Sequence, residues 1–113
     1  MDTKLKAEWI AALRSGKYKQ GRLFLRDSED NYCCLGVLCE VAGEVAIANA
    51  ANSVAIDGAN SAYCYRDTYG TLSSTMLREV GMSANLMSKL IYMNDVERWS
   101  FDTIADYIEH LTT

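Results

Sequence analysis

The chain contains no proline, so every turn has to rest on Gly, Asn, Asp or Ser. It has a single histidine, His110, whose place near the C-terminus suits the last turn of a helix and suggests no catalytic role. No apolar run approaches the roughly 20 residues that a membrane-spanning helix needs. The N-terminal stretch MDTKLKAEW lacks the apolar core of a signal peptide, and a cytoplasmic location with reduced thiols is the expectation. No Cys-x-x-Cys pair occurs among Cys33, Cys34, Cys39 and Cys64. Structural zinc ordinarily draws on two close ligand pairs, so no metal and no other cofactor is expected. Phosphate-cradling Gly-rich loops and Ser/His/Asp orders are missing as well, and the expectation is a protein that is not an enzyme.

What is present is a chain of 113 residues, 50% hydrophobic and 23% charged, suited to one domain over residues 1–113. Its charge is unevenly spread. Residues 1–26 carry seven Lys or Arg against two acids, and residues 27–113 carry four against thirteen. Between Arg14 and Arg26 there are five cations and no acid. In an acidic protein such a segment is a candidate anion site, or equally a solvated edge that discourages aggregation. The acidic balance elsewhere argues against duplex nucleic acid as a partner, which requires an extended basic surface.

The periodicity predicts an α+β domain of about five short helices around a small antiparallel hairpin or sheet. Leu5, Trp9, Ala12 and Leu13 recur at helical spacing over Thr3 to Ser15, with Gly16 as a cap. GRLFLRDSEDNYC reads as a hairpin, with Leu23 and Leu25 on one side, Arg22, Phe24 and Arg26 on the other, and DSEDN as its turn. CCLGVLCEVAG reads as a short central helix that Gly43 ends, apolar nearly all round, with its cysteines acting as small buried hydrophobes and Gly36 permitting a close backbone approach. Residues 44–71 suggest a variable loop or hairpin insertion, with Ser53–Ile56 and Ser61–Arg66 flanking Asp57-Gly58. Serines at 73, 83 and 100 each follow an apolar residue and precede another four positions into the helix, a repeated start signal. Phe101, Ile104, Ala105, Ile108 and Leu111 form the apolar stripe of a last helix, while Asp102, Asp106 and Glu109 lie on its other faces. Asn94-Asp95 closes the preceding helix and reads as structural.

The segments EWIAALRSGKYKQG, YCCLGVLCEVAG and LIYMNDVERWSFDTIADYIE occur in this order, and together they resemble a widespread group of small phage and prophage proteins. The resemblance spans nearly the whole chain, with a variable middle around residues 44–70. It implies a bacterial host cytoplasm and an accessory role such as anti-defence, including sponges that sequester cyclic-nucleotide immune signals. Read together with the basic segment, it makes a small anionic nucleotide the expected ligand. The candidate binding residues are Lys17, Tyr18, Lys19, Arg22 and Arg26, with Tyr63, Tyr65, Arg66 and Tyr69 as a second wall, because cations hold phosphates and aromatic rings stack on bases. A homo-oligomer would help enclose such a ligand. The alternative is an interaction module that inhibits a host protein, with the Asp102, Asp106 and Glu109 face as an acidic decoy.

Overall fold

The computed structural model describes residues 1–48 and 62–111. Helix α1 (Thr3–Arg14) begins where the Asp2 carboxylate accepts a hydrogen bond from the Leu5 amide at 2.9 Å, and it buries Trp9 and Leu13. Helix α2 (Cys34–Val41) is the centre of the core, with every residue from Cys34 to Cys39 buried and Gly43 just past its end. The Trp9 indole N–H donates to the Cys34 carbonyl at 2.9 Å, fixing α1 across the start of α2. Helices α3 (Ser74–Val80), α4 (Ala84–Asp95) and α5 (Phe101–Glu109) complete the helical layer. Their caps are Ser73, Ser83 and Ser100, whose hydroxyls accept from the amides of Met76, Leu86 and Thr103. Gly81 ends α3 at φ 74°, in the left-handed region that a residue with a Cβ enters at a cost. Helix α5 buries Phe101, Ile104, Ala105 and Ile108. The expected stripe is therefore the face that packs, and each fully buried branched side chain on it contributes about 1.5–3 kcal/mol.

The α+β class holds, and the β component differs in one respect from the expectation. Strand β1 (Lys19–Gln20) pairs with β2 (Asn31–Tyr32) in parallel, with Lys19 opposite Asn31. Strand β3 (Ile47–Ala48) pairs with β4 (Tyr63–Cys64) antiparallel. The proposed strand at Ser53–Ile56 and its loop lie outside the described residues.

Only the end of the expected hairpin forms: Arg26 bridges antiparallel to Tyr32 across the DSEDN turn, and the rest of GRLFLR is not an extended arm. Leu23 has φ 73° and is 68% exposed, whereas Leu25 is fully buried, so the two do not share a face. The left-handed turn at Leu23 breaks the alternation. Beyond it the Leu25 amide donates to the Tyr69 carbonyl at 2.7 Å. Gly36 lets the Leu25 backbone lie directly on α2: a Cβ there would sit 1.7 Å from the Leu25 carbonyl oxygen. The DSEDN turn forms where expected, organised by Asp27, whose Oδ1 accepts from the amides of Glu29 and Asn31.

Candidate functional site

Five of the nine residues singled out in the sequence lie on or beside one aromatic ladder. The Lys17 ammonium lies 5.5 Å from the centre of the Tyr18 ring. Tyr18 meets Tyr32 edge-to-face, with centroids 5.1 Å apart. Arg26 lies between Tyr32, at 5.4 Å, and Tyr63, at 4.1 Å. Such cation–ring contacts contribute about 0.5–2 kcal/mol each, more where water is excluded. Lys19 projects from β1, exposed, while its neighbour Gln20 turns inward. Tyr32, the middle rung, was not among the residues singled out. Its role depends on the parallel pairing of β1 with β2, which no local pattern announces.

The cations from Arg14 to Arg26, taken with Arg66, divide into two sets. Arg14 bridges Asp106 and Glu109 on α5, Arg26 is paired with Asp30 at 2.8 Å, and Arg66 is paired with both Glu44 and Glu79. Lys17, Lys19 and Arg22 are exposed and make no ion pair among the described residues. Because Arg14 covers two of its three acids, the face of Asp102, Asp106 and Glu109 is not a uniformly acidic patch.

Tyr65 and Arg66 do not join the ladder face. Tyr65 is 1% exposed, and its hydroxyl donates to Glu40 Oε2 at 2.7 Å. Arg66 spends its guanidinium on the two glutamates. Both are fastenings of residues 62–70 to the helices rather than open contacts. Tyr69 is open but sits beside Phe24, with ring centroids 6.2 Å apart.

Beneath the ladder lies a knot of amides. Asn94 is 1% exposed. Its Nδ2 donates to the Gly21 carbonyl and to Asp95 Oδ1, and its Oδ1 accepts from the Cys34 amide and from Gln20 Nε2. Gln20 Nε2 also donates to the Trp99 carbonyl at 2.8 Å. Asn94 thus ties β1, α2 and α4, and Gln20 carries the knot on to the entry of α5. The structural reading of Asn94 holds, by a different route: Asn94 is helical within α4, and the left-handed residue that follows is Arg98 at φ 58°.

The cysteines are built for packing. Cys33, Cys34 and Cys39 are buried, and Cys64 is half-buried. Burial pushes the Cys33 thiol up to about 12 and raises Cys34 and Cys39 well above the ordinary thiol value. A thiol held protonated is a poor nucleophile and a poor metal ligand. Among the described residues no group of three or more His, Cys, Asp or Glu converges as a metal site. No helix among them is long and apolar enough to cross a membrane.

Fold and site together define a small α+β domain with a basic, aromatic face around β1. Residues 1–70 match a domain of unknown function, DUF8296, and the chain belongs to that family. The match takes in α1, α2, both strand pairs and the whole ladder. No curated protein and no solved structure matches the chain.

Proposed function

We propose that the protein binds a small anionic nucleotide without turning it over, as a phage-type anti-defence factor that sequesters a cyclic-nucleotide immune signal. The observation that carries this reading is the division of the cations from Arg14 to Arg26, taken with Arg66. Arg14, Arg26 and Arg66 are matched with carboxylates, whereas Lys17, Lys19 and Arg22 are exposed and unmatched among the described residues, and Lys17 lies over the Tyr18 ring. Unmatched cations attract phosphate, and a neighbouring ring offers a surface for a base. Arg26 acts here as a spacer between Tyr32 and Tyr63. A homo-oligomer would bring two such faces together and enclose the ligand. The test is the melting temperature of the protein with cyclic di- and trinucleotides. A ligand at about 100 times its Kd adds roughly 2.7 kcal/mol and raises the midpoint visibly. Recovery of the ligand intact after heat release separates a sponge from a degrading enzyme. No shift with any of these nucleotides would overturn the reading.

A second reading, inhibition of a host protein, is favoured by Leu23. This large apolar side chain is 68% exposed and carried by a left-handed backbone. Such outliers often mark contact points. A stoichiometric host protein retained from bacterial lysate, and lost with Leu23→Ser, would favour this reading over the first.

A further inference from the structure

The amide knot has only one consistent orientation. Asn94 Nδ2 faces two acceptors, the Gly21 carbonyl and the Asp95 carboxylate, so it has to be the amide nitrogen. Asn94 Oδ1 then faces the Cys34 amide and Gln20. Gln20 must therefore turn its own nitrogen toward Asn94 Oδ1 and the Trp99 carbonyl, both pure acceptors. Its remaining atom, Oε1, accepts no hydrogen bond among the described residues, and the residue is only partly buried. The amide is held like a fixed carbonyl.

Gln20 lines a cleft of about 290 Å³ between the end of α1 and the start of α5. Leu13 and Phe101, both buried, give it an apolar floor, Tyr18 an aromatic wall, and Gly16 and Asp102 part of its rim. Arg14 also lies on the rim but is already paired with Asp106 and Glu109, which leaves it unsuited to a second anion. The free cation nearest the Tyr18 wall is Lys17. The cleft thus combines a flat ring, an apolar floor and the side chain of Gln20, whose nitrogen is already committed, with the unpaired Lys17 next to it.

We propose that this cleft receives an amino-bearing nucleobase, stacked on Tyr18 with its exocyclic amino group donating to Gln20 Oε1, while Lys17 and Lys19 hold the phosphate outside. The inference rests on the anion-binding reading above and adds to it the base and the edge that is read.

Calorimetric titration of the full-length protein at millimolar ligand tests it with three probes: adenosine monophosphate, purine riboside monophosphate, which differs only by the missing amino group, and ribose 5-phosphate. The expected order is adenosine monophosphate tightest, with loss of the amino group weakening binding about tenfold and ribose 5-phosphate weakest. Gly16→Asn supplies the control. Asn tolerates the left-handed backbone that Gly16 holds at φ 76°, and its Cβ meets nothing within 4 Å, so the variant should fold. A side chain at that point of the rim should abolish the preference among the three probes and leave their common phosphate binding in place. Equal binding of all three by the unmodified protein would overturn the base cleft while leaving the anion site standing. Binding of none of them, together with no cyclic nucleotide, would overturn both. Binding of argininamide in place of the nucleotides would give the cleft to a cationic side chain of a partner and overturn the proposal.

Discussion

Asn94 shows what a single buried amide can decide. It answers four polar groups at once, and truncation would leave the Gly21 carbonyl and the Cys34 amide without these partners, while Gln20 would keep only the Trp99 carbonyl. Asn94→Ala should cost about 3 kcal/mol or more, read from the denaturation midpoint. Asn94→Asp should be worse at neutral pH, because an ionised carboxylate cannot donate to the Gly21 carbonyl and would lie against Asp95. Its folded-state pKa would be raised, so its deficit relative to the native protein should narrow as pH falls and the group protonates. Gly36 is the other residue with no substitute. An Ala in a helix usually gains about 0.5–1 kcal/mol over Gly. Here the new methyl would overlap the Leu25 carbonyl, and Gly36→Ala should lower stability by about 3 kcal/mol or more. The thiols give a third check. Alkylation under native conditions should reach Cys64 first, and Cys33, Cys34 and Cys39 only on unfolding, as peptide mass spectrometry would show.

At the scale of elements, the helices follow local rules and are held together by side-chain clasps. Ser73→Ala, Ser83→Ala and Ser100→Ala should each cost about 1 kcal/mol, since each hydroxyl answers one otherwise open amide. Two clasps fasten elements at the surface: Arg14 joins α1 to α5, and Arg66 joins the turn after β4 to Glu44 and to α3. Hydrogen bonding to Arg66 holds the Glu79 carboxyl below its ordinary value of 4.5, and Arg14 does the same to Glu109. A carboxyl lowered on folding contributes stability that is present above its unfolded pKa and lost as pH falls through its folded one. Melting temperature should therefore drop on acidification below about pH 4.5, and Arg14→Gln or Arg66→Gln should flatten that drop. The helices were legible in the sequence because caps and apolar stripes are local signals. The hairpin was misread because Leu23 and Leu25 alternate correctly. Nothing within GRLFLR reveals that Leu25 lies on Gly36 and donates its amide hydrogen bond to the carbonyl of Tyr69.

Over the whole molecule, charge is sorted rather than balanced. The basic N-terminal segment spends Arg14 and Arg26 on acids and keeps Lys17, Lys19 and Arg22 exposed. Anion binding should fall with added salt, and Lys17→Glu combined with Lys19→Glu should abolish it while leaving the unfolding free energy within about 1 kcal/mol of native. Sequence reading found these cations but also offered Tyr65 and Arg66. Exposure cannot be read from residue type when the partners, Glu40 on α2, Glu44 just beyond it and Glu79 on α3, come from other parts of the chain. The amide knot has a consequence for assembly. Residues 1–70 contribute Gln20, Gly21 and Cys34, and the residues after them contribute Asn94 and Trp99. Neither portion can satisfy its buried polar groups without the other. Expressed separately, the two pieces should each remain unfolded and regain structure only when mixed, so that the protein divides into a matched pair of halves whose reunion reports on a single amide.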